Sequence, residues 1–490
     1  MHPALLVDEL LREIFDLCHF DKECRKTLVQ LARCCQAWKE PALQKAWENL
    51  SCITPLINLI VSLAIPEPLD IPLTPVQTMC DASPEELDGY ARMVRHVSLR
   101  TRVEKDIGLG TLFHDTTPLF PNLQSVAVLM DGCAAPAVHL LLSPMLSSIT
   151  IDIGVSTGRA TGAERSGNIA AYLSALGSSS IPIQKLNIRG FACDKLNQAV
   201  STLFTLKTLS LRAGTSLSTT TLISIANFPL LEELIVHADR VDADSLKESL
   251  ASFSSPAFPN LQILDIRSSV EVAATILQHA RPTNLTRFSI EVTQDDNSAW
   301  THLYSVIPTT TQDIHIDCHV YPEDPTSDTT DIINDHPFTI KKLGALSKFT
   351  ALRVFTLETS ILVDFVDKDV EELTKWWPTL RVLDLTVSPY GEYKGGGGLE
   401  IKIAPWTPKL TVGCLSSIAK GWPHLKRLSL PIDFASEPKK IQSFSIHPRL
   451  REFKIIPSLT AESRTPLIDA HIAFALSLFP SVCNNFVVFC

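Results

Sequence analysis

The spacing best suited to chemistry is His315-Ile-Asp317-Cys-His319. Two histidines and a carboxylate at alternate positions of an extended chain project from one side of it, as a divalent metal would require. Any strand with a solvated face alternates in the same way, and that plainer reading is preferred. No metal and no cofactor is expected. Cys18, His19, Cys24, Cys34 and Cys35 lack the paired CxxC spacing of common zinc modules and are read as buried thiols. The glycine run Tyr390-Gly-Glu-Tyr-Lys-Gly-Gly-Gly-Gly398 has no Gly-Lys-Ser/Thr ending, so it does not read as a phosphate loop. Nor does the chain contain a nucleophile elbow, an HExxH pair or a dinucleotide fingerprint. The expectation is a protein that binds and does not catalyse.

What positions these residues is a repeated frame, clearest in Phe258-Pro-Asn-Leu261-Gln-Ile-Leu264-Asp-Ile266. An apolar residue is followed after two residues by a second and after one more by a third. First positions recur at Val94, Leu123, Leu146, Ile183, Leu206, Leu231, Leu261, Leu285, Thr311, Leu352, Leu380, Leu425 and Leu450, thirteen copies of which only Thr311 is not apolar. Most spacings lie in the twenties, and the pattern resembles leucine-rich repeats. The last two apolar positions share a strand face that one copy cannot bury alone. Between strands, Ile169, Tyr172, Leu173 and Leu176 form a helical stripe, as do Leu246, Leu250 and Phe253, then Val272, Ile276 and Ala280, and Leu415, Ile418 and Trp422. Strand, helix, strand with short connections demands parallel strands and one crossover hand. The expected fold is α/β: three N-terminal helices, then an irregular solenoid with parallel strands on a concave face and helices outside. Proline two residues before the frame is read as a helix stop and strand entrance. Arg159–Ser166, Tyr321–Asp331 and Tyr390–Gly398 read as polar insertions.

The chain has 490 residues, 45% of them hydrophobic, and a net charge of -10, which argues against nucleic acid as main partner. Asp8, Glu9 and Arg12 interrupt the N-terminal apolar residues, so no signal peptide is expected. No apolar run approaches the ~20 residues of a membrane span. Cys490 is the last residue, so no prenylation box is expected. Twelve scattered cysteines suggest reduced thiols and a cytoplasmic or nuclear location.

Residues 1–50 read as three helices. Leu6, Leu10, Ile14 and Leu17, with Leu11, Phe15 and Cys18 alongside, give the first a wide apolar face. Thr27 is a candidate cap for the second, with Leu28, Leu31, Ala32, Cys35 and Trp38 on one side, and Pro41 fits the first turn of the third. So small a domain with so much apolar surface leans on a partner or on the next domain. Residues 51–82, with Pro55, Pro66, Pro68, Pro72 and Pro75, read as a connector after a short helix at Leu56–Leu63, and residues 83–490 as the solenoid. Protease cutting near 66–75 is expected to release the helices.

Leu6-Val-Asp-Glu-Leu-Leu-Arg-Glu-Ile-Phe15, Leu31-Ala-Arg-Cys-Cys-Gln-Ala-Trp38, Pro41-Ala-Leu43 and Trp47 resemble an F-box, most of all that of large fungal families. Tyr90-Ala-Arg-Met-Val-Arg-His96 extends the resemblance to the opening of the repeats, and Val7 stands where the family usually has Pro. The resemblance implies a substrate adaptor of an SCF-type cullin–RING ubiquitin ligase. Leu6, Val7, Leu10, Leu11, Ile14, Phe15, Leu31 and Trp38 would then dock on a Skp-type linker subunit, and through it on a cullin. The repeats would hold a protein substrate. The alternative is a stand-alone repeat scaffold whose helices cap the solenoid.

In each copy the second, fourth and sixth residues after the first frame position point away from the core. Early copies place Arg189 and Arg212 there, with His96, Arg100 and Lys185; later copies place Asp265, Glu291, His315, Asp317, Glu358 and Asp384. These are the candidate substrate contacts, in a basic and an acidic half. Glu291, Asp317 and Glu358 are expected abreast on adjacent strands, provided no hidden strand at Phe338–Leu343 intervenes. Like charges so close call for a cation or a basic partner segment, the alternative being that solvent screens them on an open surface.

Overall fold

The computed structural model describes residues 7–17, 24–52, 55, 84–100, 118–130, 141–154, 159–179, 181–213, 217–253, 256–292, 299–318, 338–359, 363–387, 408–433, 446–456, 466–482 and 486–488. Leu6, Cys18, His19, His319, Cys490, the Leu56–Leu63 stretch and the insertions at 321–331 and 390–398 lie outside them. The chain forms two compact units, Met1–Leu217 and Ser218–Cys490.

The first unit opens with helices α1 (Asp8–Leu17), α2 (Cys24–Ala32) and α3 (Gln36–Glu48), which leads into a two-residue strand, β1 (Asn49–Leu50). Then follow α4 (Pro84–Ala91), β2 (His96–Arg100), β3 (Ser125–Leu129), β4 (Ser148–Asp152), α5 (Arg159–Ser178), β5 (Lys185–Gly190), α6 (Asp194–Val200) and β6 (Thr208–Ala213). Each strand from β1 to β6 pairs in parallel with the next.

The second unit continues the pattern with α7 (Thr219–Ala226), β7 (Glu233–His237), α8 (Ala243–Ala251), β8 (Ile263–Arg267), α9 (Val270–Ala280), β9 (Arg287–Val292), α10 (Trp300–Val306) and β10 (Asp313–Cys318). A 3-10 helix (Lys342–Lys348), β11 (Val354–Thr359), α11 (Asp367–Trp376), β12 (Val382–Val387), α12 (Cys414–Gly421), β13 (Arg427–Pro431), β14 (Glu452–Ile456), α13 (Pro466–Leu478) and β15 (Phe486–Val488) complete it. Here too every strand from β7 to β15 pairs in parallel with its successor. Each unit is a leucine-rich-repeat-like α/β solenoid, with strands in chain order and helices or turns between them.

The frame builds the core. All thirteen first positions, Thr311 included, are 0% exposed. The second and third positions are buried as well, from Val97 and Leu99 in β2 to Phe453 and Ile455 in β14. The residue after the first position does different work. Its carbonyl accepts two N–H groups from the following repeat: Gln124 N and Ser125 N on Arg95 O, Thr286 N and Arg287 N on Gln262 O, Lys426 N and Arg427 N on Arg381 O. Those paired bonds lock the parallel register at each strand entrance.

The prolines ahead of the frame form turns. In the Pro121, Pro144, Pro259, Pro378 and Pro423 copies, the N–H of the frame leucine donates to the carbonyl three residues back. Proline is then the second residue of a β-turn, where its fixed φ is an advantage. Bulky buried residues stand at the start of four of these turns, Phe120, Phe258, Trp377 and Trp422, and Phe349 opens the matching turn of the Leu352 copy, which has no proline. In the Leu450 copy a side chain takes the carbonyl's place. His447, 1% exposed, accepts from Leu450 N on Nδ1 and donates from Nε2 to Trp422 O at 2.7 Å.

Helix starts follow capping chemistry in several repeats. Ser218, Asp242 and Ser269 accept from the N–H three residues on, at the heads of α7, α8 and α9. Elsewhere the boundaries differ from expectation. Helix α2 begins at Cys24, so Thr27 lies within it. Helix α3 begins after an extended Cys35, and Pro41 sits inside it. That proline removes only the bond to Ala37, an exposed residue whose carbonyl water can serve. Arg159–Ser166 is no insertion but the head of α5, whose Ser166 is 0% exposed and accepts from Cys193 N at 2.9 Å. No strand forms at Phe338–Leu343. Phe338 makes an isolated bridge to Val363, and the 3-10 helix follows.

Candidate docking surfaces

Helix α1 carries two apolar faces. Leu11 and Phe15 are 1% and 2% exposed and form a small core with Leu28, Ala42 and Ala46. Leu31 and Trp38 pack partly buried against this core, and Phe15 meets the edge of Trp38 at 6.3 Å. These four expected docking residues are therefore bundle residues first. Burial of one stripe is what holds three short helices together. The other stripe faces out: Val7, Leu10, Ile14 and Leu17 are 42%, 41%, 41% and 72% exposed. Spacings of three and four residues set them in one line along the helix. The sequence does not separate the two faces, because apolar residues fill both.

The bundle is built into the repeat sheet. Asn49 and Leu50 pair with His96 and Val97, and Arg95 N donates to Glu48 O at 2.9 Å. Trp47 packs against Tyr90 of α4, ring centroids 4.9 Å apart and planes tilted by 45°, and the Arg25 guanidinium lies 5.2 Å from the Trp47 ring. Lys45 bridges Asp16 of α1 at 2.5 Å and Glu48 at 2.7 Å. Burial works to lower the Lys45 pKa, but its hydrogen bonds to the two carboxylates outweigh it and hold the ammonium above its usual value.

In the first unit, the strand face away from the core is shallow along its middle and basic along one rim. Ser98, Ala127, Thr150, Asn187 and Ser210 stand at the fourth position of β2 to β6, all short side chains. At the sixth position Arg100, Leu129, Asp152, Arg189 and Arg212 follow each other across the sheet, with Arg189 directly opposite Arg212. Arg100, Lys185, Arg189 and Arg212 are exposed. Asp152, opposite Arg189, accepts from Gly154 N at 2.8 Å. His96 lies 2.6 Å from Ser125 Oγ, and burial lowers its pKa.

In the second unit the acidic row forms as expected: Glu291, Asp317 and Glu358 are in register on β9, β10 and β11. Its edge is already met by a cation. Arg267 lies opposite Glu291 and bridges it at 3.3 Å while holding Asp239 at 3.0 Å. The demand for an outside partner at that end is thus answered within the protein. Asp384, opposite Thr356, accepts from Thr386 Oγ1 at 2.5 Å. His315 stands between Ser289 and Thr356. Burial lowers its pKa, Asp313 and Asp265 oppose that, and Arg287 and Arg427 add to it. Asp265 lies two strands from His315, on β8.

No group of three or more potential metal ligands occurs among the described residues. Cys34 and Cys35 are not the buried thiols expected: Cys34 is exposed on its loop, with its thiol directed to Gln30 O at 3.4 Å, and Cys35 is half-buried. No helix among the described residues is long and apolar enough to cross a membrane.

No family model matches the chain. No curated protein matches it either. Among solved structures it is similar to a crystal structure of a Rad7 and Elc1 complex in yeast, at 12% identity over 78% of this chain and 94% of that one, with a TM-score of 0.33. So low a similarity assigns neither ancestry nor function.

Proposed function

We propose that this protein is a substrate-recognition adaptor of an SCF-type ubiquitin ligase, its N-terminal helices an F-box. The reading is carried by one observation: α1 keeps a continuous apolar line, Val7, Leu10, Ile14 and Leu17, in solvent after its other face has built the bundle core. A helix that small gains nothing from exposed leucine and isoleucine unless a partner covers them. The partner is a Skp-type linker subunit, joined in turn to a cullin. The repeats hold a protein substrate and bring its lysines near a charged ubiquitin carrier, so the adaptor works by local concentration and needs no catalytic group of its own. It acts in the cytoplasm or nucleus.

The test is Leu10→Glu with Ile14→Glu, assayed by co-purification with the linker subunit. Both side chains are exposed, so the thermal midpoint is expected to stay put. Each buried charge costs several kcal/mol at the interface, so capture is expected to fail. Undiminished capture by a folded double variant removes the adaptor reading.

A second reading has its own support. Strand β1 joins the helices to the edge of the repeat sheet, as a solenoid cap would. A stand-alone repeat scaffold predicts no capture of the linker subunit by the unaltered protein.

A further inference from the structure

Charge on this molecule is unevenly placed. The whole chain carries -10, yet the strand face of the first unit presents Arg100, Lys185, Arg189 and Arg212 with Asp152 as the one carboxylate at its outward positions. No carboxylate among the described residues lies within ion-pair range of Arg100, Lys185 or Arg189, whereas in the second unit Arg267 and Arg287 are both bridged. Arg189 and Arg212 sit opposite one another on neighbouring strands, which brings two guanidinium groups to the same rim of the face.

Shape adds to charge. The middle of the face is lined by Ser98, Ala127, Thr150, Asn187 and Ser210. These short hydroxyls and the Asn187 amide set hydrogen-bonding groups beside the arginines of the sixth position. From β2 to β6 the cations spread over about 19 Å at the usual strand spacing. Spread charge fits a row of separate carboxylates better than one concentrated dianion. An extended peptide repeats its same-side residues every ~7 Å, so a segment of that span offers several.

We infer that the strand face of the first unit binds an extended segment rich in aspartate and glutamate. Taken as the substrate surface of the adaptor reading above, it names the class of segment the substrate carries. Arginine pairs the carboxylates, and the central hydroxyls and Asn187 meet the peptide backbone.

The experiment is fluorescence anisotropy of a labelled peptide of alternating Glu and Ser, titrated with the full chain at low and at physiological salt. The unaltered protein is expected to bind it, and more weakly as salt rises. Arg189→Gln with Arg212→Gln is expected to bind about tenfold more weakly or worse, with a shallower salt dependence and an unchanged thermal midpoint. Arg100→Gln with Lys185→Gln gives the same result independently, should the first pair misfold. Comparators are the matching Lys–Ser peptide, a singly phosphorylated neutral peptide and a single-stranded oligonucleotide. Equal or tighter binding of any comparator overturns the inference, as does undiminished binding by both variants or no binding by the unaltered chain. Leu10→Glu with Ile14→Glu is expected to hold the acidic peptide normally. Loss of linker capture by the unaltered chain with peptide binding intact sinks the adaptor reading and leaves this one standing; the reverse result does the opposite.

Discussion

Thr311 occupies a position that twelve other copies fill with an aliphatic residue, and it is as buried as they are. Its hydroxyl has no hydrogen-bond partner, nor has the hydroxyl of Tyr172, also 0% exposed. A buried hydroxyl without a partner costs about 1–3 kcal/mol. Thr311→Val keeps the shape and removes that cost, so the thermal midpoint is expected to rise; a fall would show that the hydroxyl is served. The histidines behave in the opposite sense to a histidine paired with a carboxylate. His96, His279 and His315 are all held below their ordinary pKa, with burial the largest cause in each. A depressed histidine favours the neutral form in the fold. Its contribution is complete above the ordinary value of 6.5 and is lost as pH falls through the lowered one. Thermal midpoints are therefore expected to drop from pH 7.5 to pH 5.5, and to drop less in His315→Gln. An equal drop in that variant would clear His315 of any part in it.

At the scale of elements, strand ends carry constraints of their own. Gly190 closes β5 at φ +118°, a region closed to other residues in practice. A Cβ there would lie 2.9 Å from Ile153 Cβ and 3.0 Å from Gly154 O. Gly190→Ala is expected to cost about 1–3 kcal/mol from the backbone conformation, and more from the clash. Chemical denaturation measures it, and a loss under half a kcal/mol would mean that the β4–β5 end yields readily. Most elements were legible because the frame repeats: one apolar spacing, read thirteen times, places thirteen strands and their buried faces. Three kinds of element were not. Strand β1 is two residues long and carries no frame, since its pairing depends on β2 alone. The head of α5 reads as polar because Arg159–Ser166 holds glycine, charge and serine, and it is helical because Ser166 packs inward against the next repeat. The split of α1 into a core face and a solvent face needs the positions of Leu28, Ala42 and Ala46, which spacing within α1 does not supply. The aromatic residue three places before the frame, by contrast, stands in plain view at Phe120, Phe258, Phe349, Trp377 and Trp422, and could have been read as a second core column.

For the molecule as a whole, the decisive question is how the N-terminal helices are held. The sequence suggests beads on a proline-rich string, with a cut near 66–75 freeing residues 1–50. The first unit argues otherwise, because α3 passes into β1 without a break and β1 is a member of the sheet. Parallel pairing with β2, the bond from Arg95 N to Glu48 O, and the Trp47–Tyr90 contact at 4.9 Å all cross from helices to repeats. β1 and β2 are hydrogen-bonded neighbours, so the connection between them starts and ends at adjacent strands. Cleavage there breaks covalent continuity but none of these contacts. After limited proteolysis the fragment carrying α1 to β1 is expected to co-elute with the remainder on size exclusion in native buffer, and to separate only in denaturant. Trp47→Ala together with Leu50→Ala, which removes a ring contact and a side chain only 2% exposed, is expected to weaken that association in the cut protein. Separate elution of the cut but otherwise unaltered protein would restore the string. If the fragments stay together, the apolar line of α1 and the strand face of β2 to β6 are presented as one body, and a ligand on that face stands at a set distance from whatever covers Leu10 and Ile14.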